Sequence, residues 1–443
     1  MKLFRYSVLA SLLAMSFNGV VAQHKWTLDE CIEFAIQNNI DIHRRIVDIE
    51  CREIKLNTSK NAWLPGLSAE IGEQVSFCNY DFYTGHVEET SDDSKDLSYT
   101  TARIGMSMPL FNASRLKYNT KSDEYLLEAA TENLEKAKKD IRIQVAVYYL
   151  DCLYRKNMVD VARSQMDVSR QLIDRSKVLV RDGKRPLSEE AEAEAQLAND
   201  EYMLAEAEGQ YRLALLMLSQ LLNLESPENF EVADLATDDI AMEALPSIDY
   251  YDAVVETFPS IRAAKAEIES GKAMIKVAQS ALHPSISLQG YVGMFYAKMF
   301  NKDIIVDMST YNFFKDNMNE VIGVHMSIPI FNRFESKNNV RLAKLGVTNL
   351  ELEMNEARLK LHKEIQTAYY NADVAYDKLI AADKAVEASS ISVGYEENRY
   401  NNGRSNIYDL QQAQQKHLKA QQNSVQAKYE YLIRRRVLKF YCE

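Results

Sequence analysis

Charged and aromatic side chains cluster around two glycines, each at the end of a long helical pattern. The first cluster comprises Arg181, Asp182, Gly183, Lys184 and Arg185, and the second comprises Tyr400, Gly403, Arg404, Asp409 and Gln412. These residue types can form ion pairs and hydrogen bonds between neighbouring helices. A solvated turn is the alternative for the first cluster. For Asp409 the alternative is an acid in a first helical turn, where the helix dipole favours it.

The rest of the chain contains no arrangement that indicates catalysis. No nucleophile stands beside a base, no glycine-rich loop could hold a phosphate, and no spacing of His, Cys, Asp or Glu is typical of a metal site. We therefore predict a protein that is not an enzyme and has no metal or cofactor. The formal net charge of −12 also argues against nucleic acid as a partner.

Each glycine ends a seven-residue apolar repeat. The first series is Val145, Cys152, Val159, Met166, Ile173 and Val180, and the second is Ile365, Ala372, Leu379, Val386, Val393 and Tyr400. Such a repeat predicts long helices with a coiled-coil-like seam over 113–182 and 333–402. About 70 residues at 1.5 Å each give a rod of roughly 100 Å. Returning helices are predicted over 186–224 and 406–440.

The chain is internally duplicated. Ser107-Met108-Pro109-Leu110-Phe111-Asn112 recurs as Ser327-Ile328-Pro329-Ile330-Phe331-Asn332, 220 positions later. Before each copy, alternating apolar and polar residues predict a β-hairpin, at about 66–110 and 285–330. We interpret Pro109, Phe111, Asn112, Pro329, Phe331 and Asn332 as strand–helix joints. In each joint the Pro ends the ladder and the Asn caps the long helix. The repeats span 23–224 and 247–443, separated by an acidic linker, 225–246.

Residues 1–22 are typical of a secretory signal peptide. No later stretch approaches the ~18 apolar residues of a membrane helix. Each hairpin strand, however, reaches the ~9–11 residues that span a bilayer. Four strands cannot close a barrel, and an open edge in lipid leaves backbone groups unsatisfied, so several chains must share one barrel. The predicted fold class is an α+β membrane protein, with strands joined coaxially to a hollow cylinder of helices.

The order and spacing of these features resemble the TolC family of outer-membrane efflux proteins. The resemblance rests on the signal, the duplication, Thr27-Leu28-Asp29-Glu30-Cys31, the two Pro-x-Phe-Asn strand ends, and Tyr400-x-x-Gly403-x5-Asp409-Leu410. It implies a homotrimer with a shared 12-stranded β-barrel in the outer membrane and a 12-helix α-barrel in the periplasm. It also implies a passive exit duct, joined by a periplasmic adaptor protein to an inner-membrane efflux pump.

The resemblance also implies roles for the glycine clusters at the periplasmic tip. The best-known members carry a Tyr three residues before the second glycine, an Arg two after it, and Asp six and nine after it. Tyr400 and Asp409 match, whereas Ser405 and Gln412 replace the Arg and the second Asp. We expect a gate in which Asp409 of each chain contributes to an acidic ring. Arg404 directly precedes Ser405, the residue that replaces the expected Arg. For Tyr400 two interpretations are open: a latch that holds the gate closed, and ordinary packing in the helical seam. Arg181 to Arg185 are candidates for adaptor docking.

The leading functional hypothesis is an outer-membrane exit duct for small toxic compounds in a tripartite efflux system. One alternative with the same fold is the duct of a type I protein secretion system. A second, from a different class, is a non-conducting periplasmic coiled-coil scaffold. The hairpins argue against the scaffold, because a soluble scaffold has no use for two apolar faces of bilayer length.

Overall fold

Both halves of the chain contain the same succession of elements: helix, β-hairpin, long helix, turn and returning helix. The computed structural model describes residues 25–76, 97–224, 230–235, 254–299 and 318–442. The first half comprises β1 (Lys25–Trp26), α1 (Leu28–Asn38), α2 (Ile40–Asn61), β2 (Gly66–Ser76), β3 (Leu97–Phe111), α3 (Arg115–Arg181) and α4 (Leu187–Leu221). The second comprises β4 (Glu231–Val232), a 3₁₀ turn (Val255–Thr257), α5 (Pro259–Ser280), β5 (Ser285–Met299), β6 (Met318–Ser327), α6 (Glu335–Asn401) and α7 (Ile407–Cys442). The predicted signal peptide and most of the predicted linker lie outside the described residues.

The chain divides into two compact units. The helical unit comprises Met1–Ile46, Asn133–Ile261 and Ala357–Glu443, and the sheet unit comprises Val47–Glu132 and Arg262–Glu356. Within the parts that the structure describes, no helix combines the length and apolar character needed to cross a membrane.

The core of the helical unit follows the predicted seven-residue series. Val145, Cys152, Ile365 and Ala372 have no exposed surface, and none of the twelve series residues is exposed. The predicted seam is therefore confirmed. The N-terminus of α1 carries a capping box: the Thr27 hydroxyl accepts from the Glu30 amide at 3.3 Å, and the Glu30 carboxylate accepts from the Thr27 amide at 2.8 Å.

A four-stranded antiparallel sheet forms the centre of the sheet unit, in the order β2–β3–β5–β6. One face is apolar and solvent-exposed in the isolated chain. Its side chains include Leu67, Ile71, Ile104, Ile322 and Val324, which are between 63% and 84% exposed. The strand pairing places mainly small and polar residues on the opposite face, together with the larger side chains of Tyr291, Phe295 and Val321. This alternation is the one that the sequence predicts.

The two strand–helix joints differ from the prediction. β6 ends at Ser327, before Pro329, but β3 continues past Pro109 to Phe111. A register shift between Pro109 and Phe111 accommodates the proline, because a bulged strand does not require an N–H at every position. The expectation that Pro109 ends the ladder is therefore wrong.

Neither Asn occupies the N-cap position, although the Asn112 side-chain oxygen accepts from the Leu116 amide in the first turn of α3 at 3.5 Å. α3 begins at Arg115, after Ala113 and Ser114, which have φ values of 49° and 66°. Two successive residues with positive φ reverse the chain, so Asn112 precedes the cap position by two residues. Its carbonyl accepts from the Arg115 amide at 2.9 Å. The second copy has the same geometry: Arg333 and Phe334 have φ values of 55° and 64°, and the Asn332 carbonyl accepts from the Glu335 amide at 3.0 Å.

Candidate functional site

The two helical hairpins of the helical unit end in the same turn. Gly183 and Gly403 have φ values of 67° and 70°. The Lys184 amide donates to the Leu179 carbonyl at 2.9 Å, and the Gly183 amide donates to the Val180 carbonyl at 2.9 Å. Gly403 and Arg404 repeat both bonds in the second hairpin, at 3.0 and 2.8 Å. This is the Schellman helix end, in which glycine occupies the left-handed position without a Cβ penalty.

Most of the predicted tip residues are exposed: Arg181, Asp182, Gly183, Lys184, Gly403, Arg404, Asp409 and Gln412. Asp182 forms ion pairs with Lys184 at 3.5 Å and with Arg181 at 4.0 Å. Exposed pairs of this kind contribute only about 0–1 kcal/mol to stability. The ion pairs of this turn therefore contribute little to the stability of the fold, and the exposed charges are available to contact another protein.

Asp409 lies in the first turn of α7. Its amide donates to the Asn406 side-chain oxygen at 2.8 Å, so Asn406 caps α7. The Ser405 hydroxyl donates to the Asp409 carboxylate at 3.4 Å. Both contacts lie within one helix start and its turn. They fit the interpretation of an acid placed by the helix dipole, and they leave the carboxylate exposed.

Tyr400 lies in a different environment, because the two hairpins meet around it. It is 3% exposed. Its hydroxyl donates to Glu189 Oε2 at 3.2 Å, and the Arg185 guanidinium lies over its ring, 4.9 Å from the centroid. Arg185 also forms an ion pair with Glu189, with Nη1 3.1 Å from Oε1. We call Arg185, Glu189 and Tyr400 the tip cluster.

Arg185 also contacts the second hairpin through the backbone. Its Nη2 donates to the carbonyl oxygens of Tyr400 and Ser405, at 3.4 and 3.5 Å. The side chains of Arg185 and Glu189 are only 19% and 10% exposed. The Arg185 guanidinium therefore makes three kinds of contact. It pairs with a carboxylate of its own hairpin, donates to two carbonyls of the other hairpin and lies over the Tyr400 ring.

An apolar layer surrounds the tip cluster and excludes water from it. Its members come from all four helices: Leu172 and Ile173 of α3, Ala193 of α4, and Ile407 and Leu410 of α7 pack with Tyr400 of α6. Burial raises the pKa of the Tyr400 phenol, and the Glu189 carboxylate raises it further. The phenol therefore stays protonated at neutral pH and remains a hydrogen-bond donor to Glu189.

The sequence interpretation missed Glu189, and for Arg185 it left adaptor docking and ion pairs to neighbouring helices both open. The internal duplication contains the signal that could have found both. At the 220-residue offset, Arg185 is the counterpart of Ser405, and Glu189 is the counterpart of Asp409. The arginine expected two residues after the second glycine therefore stands two residues after the first glycine in this chain.

The joint residues belong to the sheet unit and form a separate site. Phe111 is 47% exposed and Phe331 is 70% exposed, and the Phe331 ring packs edge-on against Phe334 at 5.6 Å. The Asn332 side chain donates to the Ser336 hydroxyl at 2.6 Å. These contacts are those of a chain reversal. Among the described residues, no group of His, Cys, Asp and Glu could hold a metal ion.

Comparison with known proteins gives the family. The model of the outer membrane efflux protein family matches residues 31–224 and 251–441, which is most of the chain. The chain belongs to this family. It is similar to nodulation protein T of Rhizobium leguminosarum bv. trifolii, with 19% identity over 387 residues, 87% of this chain and 79% of the relative. It is also similar to the cobalt-zinc-cadmium resistance protein CzcC of Cupriavidus metallidurans, with 25% identity over 324 residues, 71% of this chain and 70% of the relative.

Solved channels of the outer membrane have the same fold. CusC matches with a TM-score of 0.78 and 15% identity, over 94% of this chain and 91% of that chain. The CmeC outer membrane channel of Campylobacter jejuni matches at 0.77 and 16%, over 94% and 85%. The open state of MtrE from Neisseria gonorrhoeae matches at 0.74 and 20%, over 94% and 88%. The predicted TolC-family membership is confirmed. The protein is an outer-membrane efflux protein.

Proposed function

We propose that this protein is the passive exit duct of a tripartite efflux system. An inner-membrane pump supplies the energy, a periplasmic adaptor joins pump to duct, and this chain conducts the exported compound through the outer membrane. It performs no chemistry on its cargo. The family membership supports this role.

The observation that carries the proposal is the four-stranded sheet with two open edges. β2 and β6 are its outer strands, and neither outer edge has a partner among the described strands. One face is apolar and exposed. In lipid, unpaired backbone groups cost several kcal/mol each, so the edges must pair with other copies. Three copies give a closed barrel of twelve strands, the apolar face outward, and a barrel of twelve helices.

Apolar side chains exposed on the helices of the sheet unit support contacts between copies. Val47 and Ile54 lie seven residues apart on α2 and are 56% and 67% exposed. Leu345 and Leu352 lie seven apart on α6 and are 65% and 62% exposed. A seven-residue apolar spacing is the pattern of a helix–helix seam, and within a single chain these seams are uncovered.

The tip cluster is the proposed gate. It fastens the two hairpins of one chain to each other through buried polar contacts, so its loss would release the second hairpin. Asp409 contributes an exposed carboxylate from each chain, giving an acidic ring in the trimer. Arg181, Asp182 and Lys184 are exposed at the first turn and form the proposed adaptor contact.

The proposed cargo is small toxic compounds. The relationship to a cobalt-zinc-cadmium resistance protein makes metal cations a class to include when the cargo is tested. A strain lacking this gene should become more susceptible to the exported compounds, and complementation should restore resistance. Native mass spectrometry of the detergent-extracted protein should give the mass of three chains. A monomer in that measurement, with unchanged susceptibility of the deletion strain, would refute the proposal.

A further inference from the structure

Glu70 and Arg103 form an ion pair on the polar face of the sheet. They stand directly opposite each other on β2 and β3. Arg103 Nε donates to Glu70 Oε2 at 2.7 Å, and Nη2 contacts the same oxygen. Both side chains are more than half exposed in the isolated chain.

Glycines stand beside this pair in its own row and on β2 and β3. Gly293 of β5 is opposite Arg103 on the side away from Glu70. A Cβ at position 293 would lie 2.8 Å from the Arg103 Cβ, so only glycine fits there. Gly72 and Gly105 lie two residues from Glu70 and Arg103, on the same face. On β5, Tyr291 and Phe295 flank Gly293 on the same face, so the glycine leaves Arg103 room between two aromatic side chains.

Within the described strands, this pair is the only charged pair on the polar face. By the strand pairing, the other residues of that face are uncharged or histidine: serines, threonine, tyrosine, glutamines, asparagine, glycines and apolar side chains. The row that contains the pair runs Glu70, Arg103, Gly293 and Asn319 across the four strands.

We propose that Glu70 and Arg103 determine the ion selectivity of the barrel lumen by forming a charge-compensated ring. This inference rests on the proposed trimer, in which the polar face lines the lumen. Three Glu70 and three Arg103 then alternate at one level. Rings of charged side chains set the selectivity of pores, and a ring of paired opposite charges gives a wall without net charge. The barrel then passes anions and cations alike.

The test is the reversal potential of the purified channel in a planar bilayer under a KCl gradient. Glu70→Gln leaves three uncompensated guanidinium groups, so the permeability ratio of K⁺ to Cl⁻ should fall by about two- to threefold. Arg103→Gln should raise it by a similar factor. The double variant Glu70→Gln/Arg103→Gln should return to the wild-type ratio, because the wall is again neutral.

Two further variants leave the ion pair itself intact, and they serve if Glu70→Gln or Arg103→Gln prevents assembly of the channel. Asn319→Asp adds a carboxylate to the same row without touching the pair, and it should raise the cation preference. Glu320→Gln is the matched control: it removes a charge one residue away but on the apolar face, so the ratio should not change.

Unchanged ratios in Glu70→Gln, Arg103→Gln and Asn319→Asp, in channels that conduct, would overturn the inference and leave the proposed duct intact. Failure of the wild type and of a tip-cluster variant to conduct would instead refute the proposed function. The two failures are therefore distinguishable.

Discussion

Glu189→Gln tests the tip cluster with the smallest change in shape. The amide keeps the volume of the carboxylate and can still accept from the Tyr400 hydroxyl, but it loses the ion pair with Arg185. That pair is 3.1 Å long, and its side chains are only 19% and 10% exposed. Removing one partner of a largely buried pair costs about 3 kcal/mol, because the other charge remains desolvated.

A loss of about 3 kcal/mol in the closed state is a change of about a hundredfold in the ratio of open to closed tips. The assay is single-channel recording in planar bilayers, with the open probability compared between wild type and variant. Glu190→Gln is the matched control. It removes the same charge from the next residue of α4 but does not touch the tip cluster, so its open probability should equal that of the wild type.

A double-mutant cycle makes the test stricter. Tyr400→Phe removes a hydrogen bond to a charged acceptor, which is worth about 1.5–3 kcal/mol. Because both changes affect the Tyr400–Glu189 contact, their effects on the open probability should combine less than additively, with a coupling of about 1 kcal/mol. Equal effects of Glu189→Gln and Glu190→Gln, or full additivity with Tyr400→Phe, would refute a gate built on these contacts.

Three further predictions concern pH, thiol reactivity and the turns. Because the pKa of Tyr400 is raised, the stabilisation of the tip by its phenol is complete below the ordinary tyrosine pKa of 10.0. That stabilisation is lost as the pH rises through the raised pKa. Alkaline pH should therefore increase conductance in the wild type and have less effect in Tyr400→Phe. Burial raises the pKa values of Cys31 and Cys152 to about 12, so neither thiol should react with maleimide in the native protein. Cys51 is exposed and should be labelled, and peptide mass mapping identifies the labelled cysteines. Gly403→Ala should lower the free energy of unfolding by about 1 kcal/mol, because residue 403 has a φ of 70°. Gly346→Ala, within α6, is the control and should not destabilise the protein. Thermal melts compare the two variants with the wild type.

Sequence patterns predicted the features of this fold that depend on local chemistry. The seven-residue series placed the long helices, and Gly183 and Gly403 marked their ends because only glycine adopts positive φ without cost. The alternation along β2 and β5 gave the two faces of the sheet. These signals are readable because each depends on the spacing of residues within one element.

The errors fall where contacts between distant residues decide the structure. The Tyr400–Glu189 bond joins positions 211 residues apart, and nothing local to Glu189 distinguishes it from other acids of a first helical turn. Pro109 remains within a strand because a bulge next to it absorbs the missing N–H. Asn112 precedes the cap because two residues of positive φ follow it, and neither Ala113 nor Ser114 is a residue type that signals this conformation.

We expect this chain to assemble into a gated duct whose closed state depends on the tip cluster. Single-channel recording of the purified wild type beside Glu189→Ala is the decisive measurement, because the alanine removes both the ion pair and the acceptor of the Tyr400 hydrogen bond. We expect small, infrequent openings in the wild type and large, sustained conductance in Glu189→Ala, from particles with the mass of three chains. Identical currents from the two proteins, or no current from either, would contradict it.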